Sequence, residues 1–432
     1  MFGIYNLLFF LGFLVLSPYY LWRMCRRGGY RRNFGQRFGS YAPEVRDALA
    51  GGGALWIHSV SVGEVNAIRL VALQLIERFP GTRIVWSTTT STGYVEIEKV
   101  KPPGVVLIYY PLDFPWIVER ALRLIRPRAL VLAESEIWPN MIHSLSQRGV
   151  PIALINTRIS QRSHRRYRKL GRFAREIFSR LNIVAAQEPG DVERLTLLGI
   201  ARERIHVVGS LKFDAAIPQP NAARFDPWAV LAKLGVGRDD AILVGGSTWA
   251  GEEAALFDIL RELRGEFPRL FLLLVPRHAE RANEIVQVAK QKQVKMVLRT
   301  ELQEGPAECL LVNTTGELRT FYETASVVFV GKSLFVVEKA LQNPIEPAAL
   351  GKPVIVGPHI ESFEAIVKKF LAAEAMVQVR DAAGLKAEIK RLLQDANVRG
   401  EIGARARQIV EQNRGAVERT VSLLQGLLVQ QR

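Results

Sequence analysis

Twelve apolar runs of strand length, many followed by stretches of helical periodicity, constrain this chain more than any other feature. ALWIHSV, RIVWSTT, VVLIYYP, ALVLAES, PIALINT and NIVAAQE make a first round; AILVGGST, LFLLLVP, VKMVLRT, CLLVNT, SVVFVG and PVIVGP make a second. Runs of Val, Ile and Leu that alternate with helices are the pattern of a parallel sheet covered on both faces. Between the first two runs, Val65, Ile68, Ala72, Leu75 and Phe79 recur at spacings of three and four, which places them on one helical face. The rounds are separated by GSLKFDAAIPQPNAARFDPW, whose Pro, Asn and Ala content reads as a linker. At 432 residues the chain exceeds one ordinary domain. The expectation is an α/β protein of two doubly wound domains facing a cleft, divided as 1–22, 23–211, 212–226 and 227–432, with the C-terminal helices in the last segment.

Residues 1–22 carry no charged side chain, and the run YNLLFFLGFLVLSPYYLW is near the roughly 20 residues that cross a bilayer. It reads as a membrane anchor, either a span or an interfacial helix, with Tyr19, Tyr20 and Trp22 as an aromatic belt. A cleaved signal peptide competes, but no basic segment precedes the apolar run and no clear small-residue cleavage site follows. Arg23, Arg26, Arg27, Arg31, Arg32 and Arg37 come next, which favours a body retained on the cytoplasmic side of the inner membrane.

The formal charge of +16 is unevenly placed. Thirty Lys and Arg stand against fifteen Asp and Glu up to Lys212, and twenty-eight against twenty-seven beyond it. The first half therefore faces something anionic. Its densest stretch, Arg158 to Arg175, also contains Arg162, Arg165, Arg166, Arg168, Lys169 and Arg172. It suits the phosphates of a lipid or leaflet, or else a solvated helix face. Nucleic acid is disfavoured, because no stacking platform or recognised motif accompanies the charge. The two cysteines lack metal-ligand spacing, and no DxD or His-rich cluster occurs, so neither a metal nor a cofactor is expected.

The strand ends carry the chemistry. Glu64 follows Gly63 where the first strand turns into a helix, so its carboxylate is stabilised by the helix N-terminus; a helix-start acid with no catalytic duty fits equally. Glu134 and Glu136 follow the fourth strand, and carboxylates gathered in one cleft raise one another's pKa. In the second half, the turn Gly245–Gly246–Ser247–Thr248, the pair Arg277 and His278, and TTGEL at 314–318 read as anion-friendly strand ends. Asn343 and Glu346, three apart at a helix start, face the same way.

HSVSVGE, AESEIWPN, GSLKFD, PRH, GEL and NPIEPAALGKPVIVGP, in this order, resemble the Kdo transferases of lipopolysaccharide synthesis. The resemblance implies a GT-B fold of two Rossmann-like domains and transfer of 3-deoxy-D-manno-octulosonic acid (Kdo) from CMP-Kdo to a lipid A precursor. It implies Glu64 as proton acceptor and Glu134 and Lys212 as transition-state stabilisers. It also implies CMP contacts at Pro276 and Arg277, at Gly316, Glu317 and Leu318, and at Asn343, Pro344, Ile345 and Glu346. One departure stands out: Glu338, Lys339 and Ala340 replace a stretch that is usually glycine-rich in the family. Two other readings remain, another nucleotide-sugar enzyme on the same fold and a non-catalytic scaffold that binds anionic lipid.

Overall fold

The structure is a computed structural model that describes residues 1–27, 32–217, 225–335 and 341–429. Arg31, Glu338, Lys339, Ala340 and residues 218–224 of the expected linker lie outside the described residues, as do the side chains of Arg23 and Arg27.

The chain forms two compact units, Met1–Ala215 with Arg414–Arg432, and Ala216–Asn413. The first holds β1 (Leu55–His58), β2 (Ile84–Thr88), β3 (Val106–Tyr109), β4 (Ala129–Ala133), β5 (Ile152–Thr157), β6 (Ile183–Ala186) and β7 (Ile205–Val207). They pair in parallel in the order β3-β2-β1-β4-β5-β6-β7. The order reverses between β1 and β4, so the crevice beyond their carboxyl ends is the natural ligand position. Successive side chains alternate between two apolar layers: Trp56, Val85, Leu130 and Leu154 enter one, and Leu55, Ile57, Val131 and Ile155 the other. Double coverage explains why these strands read as continuous apolar runs.

The second unit holds β8 (Ile242–Thr248), β9 (Phe271–Pro276), β10 (Met296–Leu298), β11 (Cys309–Leu311), β12 (Val327–Val330), β13 (Val354–Val356) and β14 (Val377–Gln378). Their order is β10-β11-β9-β8-β12-β13-β14, all parallel, with the reversal between β8 and β12.

Two expectations need correction. The C-terminal helices do not all belong to the second unit. Helix Ala416–Val429 buries Val417, Val421 and Leu424 in the layer that contains Val65, Ile68 and Val71 of the first unit. Asp214 caps it there, its carboxylate accepting from the N–H groups of Gly415 (2.7 Å) and Val417 (2.8 Å). Gly245 to Thr248 is not a turn but the end of β8. A Cβ on Gly246 would lie 2.1 Å from the Tyr322 hydroxyl, and one on Gly245 2.7 Å from Leu256, so close packing explains both glycines. Arg32 and Arg37, from the basic stretch after the apolar helix, both have partners within the first unit. Arg37 donates to the Thr89 carbonyl (2.5 Å) and lies over the Tyr109 ring, and Arg32 pairs with Glu98 through both guanidinium nitrogens (2.7 and 2.9 Å).

Candidate active site

Glu64 sits at the third position of helix Val62–Arg78, with Ser61 as N-cap. The segment SVGE spells a capping box, and the box is formed: the Ser61 hydroxyl accepts from the Glu64 N–H (3.3 Å), while the Glu64 carboxylate accepts from Val60 N–H (2.9 Å), Ser61 N–H (3.4 Å) and the Ser61 hydroxyl (3.0 Å). Only 8% of Glu64 is exposed. Burial pushes its pKa upward, the Val60 N–H opposes this, and the negative charge of Glu134 adds to the rise. Helix-start cap and chemically poised carboxylate are therefore one residue.

Glu134 emerges from β4 on the other side of the switch point, with a left-handed φ of 54°. That conformation is costly for a residue with a side chain and is characteristic of functional sites. Its N–H still donates to the Ile155 carbonyl (2.8 Å), and its carboxylate accepts from Asn156 Nδ2 (3.4 Å). Asn156, itself at φ 54°, accepts from the Leu211 N–H through Oδ1 (3.2 Å). One carboxamide thus ties Glu134 to the start of helix Leu211–Ala215, on which Lys212 is half-buried. Sequence reasoning passed over Asn156, whose signal is only a polar residue inside an otherwise apolar strand.

Glu136 completes an acidic group. Burial pushes its pKa up to about 7, with further contributions from the charges of Glu64 and Glu134, while the Trp138 indole N–H at 3.1 Å pulls the other way. His58 is fully buried on the Tyr110 ring (centroids 3.9 Å). Its Nδ1 lies 3.1 Å from the Ser87 carbonyl, which assigns the ring proton to Nδ1. Its Nε2, 4.0 Å from Glu136, has no hydrogen-bond partner among the described residues. Burial lowers the His58 pKa to about 3, so this is a neutral imidazole beside a carboxyl and not an ion pair.

A prediction follows from the sign of the Glu136 shift. Its folded pKa lies above the ordinary 4.5, so its contribution to stability is complete below that pH and is lost as the pH rises through about 7. Glu136→Gln should therefore raise stability by about 2 kcal/mol at pH 8 and leave it unchanged at pH 4, as read by denaturant unfolding at the two pH values.

In the second unit, Pro276 ends β9, and Arg277 follows it, exposed, with its N–H donating to the Thr248 carbonyl (3.0 Å). Gly316, Glu317 and Leu318 follow β11 into the short helix Leu318–Tyr322; the Glu317 carboxylate is held by Arg299 (3.0 and 3.1 Å) and the Thr314 hydroxyl (2.7 Å). Asn343 and Glu346 do face each other: Asn343 Nδ2 donates to Glu346 (3.0 Å), and Asn343 Oδ1 accepts from the Ile345 N–H, just past Pro344 (3.0 Å). Burial pushes the Glu346 pKa up, while the Arg319 charge pulls it down. All three segments follow the carboxyl ends of parallel strands, and Arg319 electrostatically joins the second to the third.

Sequence reasoning also passed over Glu252. This 1% exposed carboxylate lies at the switch point of the second unit and accepts four backbone N–H groups: Trp249 (2.9 Å) after β8, and Lys332 (2.8 Å), Ser333 (2.9 Å) and Leu334 (3.0 Å) after β12. Among the described residues no group of three or more His, Cys, Asp or Glu has the arrangement of a metal site.

The fold resembles that of the glycosyltransferase of kitacinnamycin, with a TM-score of 0.55 and 14% identity, over 87% of this chain and 99% of that one. Two doubly wound parallel sheets, with polar and charged groups gathered beyond their strand ends, define the GT-B class. Residues 32–215 match the family model for 3-deoxy-D-manno-octulosonic-acid transferase (kdotransferase). The chain is 31% identical over 402 residues to the 3-deoxy-D-manno-octulosonic acid transferase of Haemophilus influenzae, spanning 92% of each. It is 33% identical over 442 residues to that of Bordetella pertussis, spanning 99% of each. The chain belongs to the 3-deoxy-D-manno-octulosonic-acid transferase family.

Proposed function

We propose that the chain transfers Kdo from CMP-Kdo to a hydroxyl of a lipid A precursor, lipid IVA, at the cytoplasmic face of the inner membrane during lipopolysaccharide synthesis. The observation that carries this reading is the charge-coupled trio of buried Glu64 and half-buried Glu134 and Glu136 at the β1–β4 switch point of a family member. Glu64 takes the proton of the lipid's sugar hydroxyl as its oxygen attacks the anomeric carbon of Kdo. The bond from that carbon to the CMP phosphate breaks, and CMP leaves with the bonding electrons. Positive charge develops on the sugar and negative charge on the phosphate, so Glu134 stabilises the first and Lys212 the second. Pro276 and Arg277, Gly316 to Leu318, and Asn343 to Glu346 hold the nucleotide. Arg277 and backbone N–H groups meet the leaving-group charge, and the reaction is assigned no metal or cofactor.

Membrane association is supported by family membership and by the exposed apolar helix at the N-terminus. The basic face of the first unit then suits acceptor phosphates: helix Gln161–Lys169 buries none of its residues. The deciding assay supplies purified protein with radiolabelled CMP-Kdo and tetraacylated lipid A precursor. A labelled lipid product is expected, and absence of both product and CMP binding would sink the reading.

A further inference from the structure

The exits of three neighbouring strands in the second unit, β9, β8 and β12, carry a group of side chains that the nucleotide contacts leave unused. Trp249 follows β8, His278 follows β9 and Lys332 follows β12, and all three are half-buried. The Lys332 Nζ stands 4.3 Å from the centroid of the Trp249 ring, and His278 lies edge-on to the same ring with centroids 5.0 Å apart. His278 is engaged through Nδ1 with Glu280 at 3.1 Å. Lys332 brings a permanent cation to the group.

The backbone is built to hold this arrangement. One oxygen of Glu252, Oε2, accepts the N–H groups of both Trp249 (2.9 Å) and Lys332 (2.8 Å), so the stacked residues hang from a single atom. Lys332 is held in the left-handed region, at φ 59°, where glycine is at home and a residue with a side chain is strained. On the adjacent exit, the register of β8 against β9 shifts between Gly246 and Thr248, and Ser247 there stands at φ 54°. Bulges and strained residues cluster where a strand end must aim side chains at a ligand. A lysine in a glycine's conformation, with its ammonium laid on an indole, is such an aimed group.

What it is aimed at follows from the chemistry of the donor, and so rests on the reading given above. An octulosonic acid carries a carboxylate on its anomeric carbon, and in CMP-Kdo the phosphate is bonded to that same carbon through oxygen. Two anions therefore hang from one atom. Arg277 and backbone N–H groups meet the phosphate, and the carboxylate calls for a second cation. We propose that Lys332, seated on Trp249, holds the carboxylate of the donor sugar and so selects an acidic sugar over a neutral one. The indole face attracts the ammonium and fixes its direction while leaving its charge in place. A neutral sugar would desolvate the ammonium without pairing it, which is the basis of its rejection. The carboxylate is unchanged when the phosphate departs, so the contact is made equally before and during transfer and acts on KM more than on kcat.

Lys332→Gly removes the cation and relaxes the strained φ, so its melting temperature is expected to stay near that of the parent. Lys332→Asn repeats the loss of charge with a side chain that tolerates the left-handed region. In Kdo transfer by the full chain, both should raise KM for CMP-Kdo roughly 10–100-fold with kcat within about threefold, while the inhibition constant of CMP, which has no sugar, stays within about twofold. Lys332→Arg keeps a cation over the indole and should hold KM within about fivefold of the parent. An unchanged KM in the Gly and Asn variants, or CMP inhibition that weakens in step with KM, overturns the carboxylate contact and leaves the donor reading intact. A parent chain that neither transfers Kdo nor binds CMP overturns both.

Discussion

Glu64→Gln is expected to lower kcat for Kdo transfer by roughly 10²–10⁴-fold, the range contributed by a positioned general base. The amide keeps the size of the side chain and one acceptor for the Val60 N–H, so the capping box is weakened and not abolished; its loss costs about 1 kcal/mol. The two roles of Glu64 therefore separate by measurement. A mere helix-start acid predicts a small change in melting temperature and normal turnover, whereas the base predicts near-normal folding and CMP binding with turnover lost. The pH profile sharpens the distinction. The base must be ionised, and burial together with the Glu134 charge places its pKa above the usual carboxylate range. Activity should rise with pH through that raised value. Glu134→Gln removes the like charge, so the rising limb in this variant should move to lower pH even though its turnover falls. A limb that stays in place would show that the carboxylate titrating in the profile is not the one beside Glu134.

Which of these features could be read from sequence follows from where their partners lie. Strands β1–β6, β8, β9 and β11–β13 are buried or nearly so on both faces, so their apolar runs announce them without knowledge of the neighbours, and the half-buried edge strand β10 still carries an apolar run. Strands β7 and β14, three and two residues long and at sheet edges, leave no such signal. Glu64 and Glu134 were legible as strand-end carboxylates, and their nearness follows from β1 and β4 being adjacent. His58 and Asn156 were not. Their significance rests on partners 29 and 55 residues away, Ser87 and Leu211, which no local pattern reveals. The helix Ala416–Val429 shows an apolar periodicity that suits any core, and only the cap from Asp214 fixes which unit it joins. Arg37 adds a use that composition does not show: within the basic stretch after the apolar helix it is held by the Tyr109 ring and the Thr89 carbonyl.

Glu252→Ala should be the most damaging substitution for the second unit. In sequence Glu252 looks like an ordinary acid in the first turn of helix Glu252–Leu263. In the structure its two oxygens collect the N–H groups of Trp249, Lys332, Ser333 and Leu334, and so fasten the exits of the two strands that flank the switch point. The second loop has no easy way to rearrange. Lys332 is held at φ 59°, a Cβ on Gly331 would lie 2.5 Å from Thr248 Cα, and the Ser333 hydroxyl donates to the Val330 carbonyl (2.6 Å) while accepting from the Gly357 N–H (2.9 Å). Alanine leaves four donors converging on an unfilled space. Bonds to a charged acceptor are worth about 1.5–3 kcal/mol each, and partial relaxation recovers some of the loss, so a net cost of about 3–5 kcal/mol is expected. For a unit of this size that lowers the melting transition by roughly 6–20 °C. Converging backbone N–H groups also make an anion site, so acetate should raise the melting temperature of Glu252→Ala more than that of the parent chain. Calorimetry of the full chain, with and without acetate, checks both. A shift below about 2 °C would mean that the loops keep their conformation without the carboxylate, and the fastening role assigned to Glu252 would be wrong.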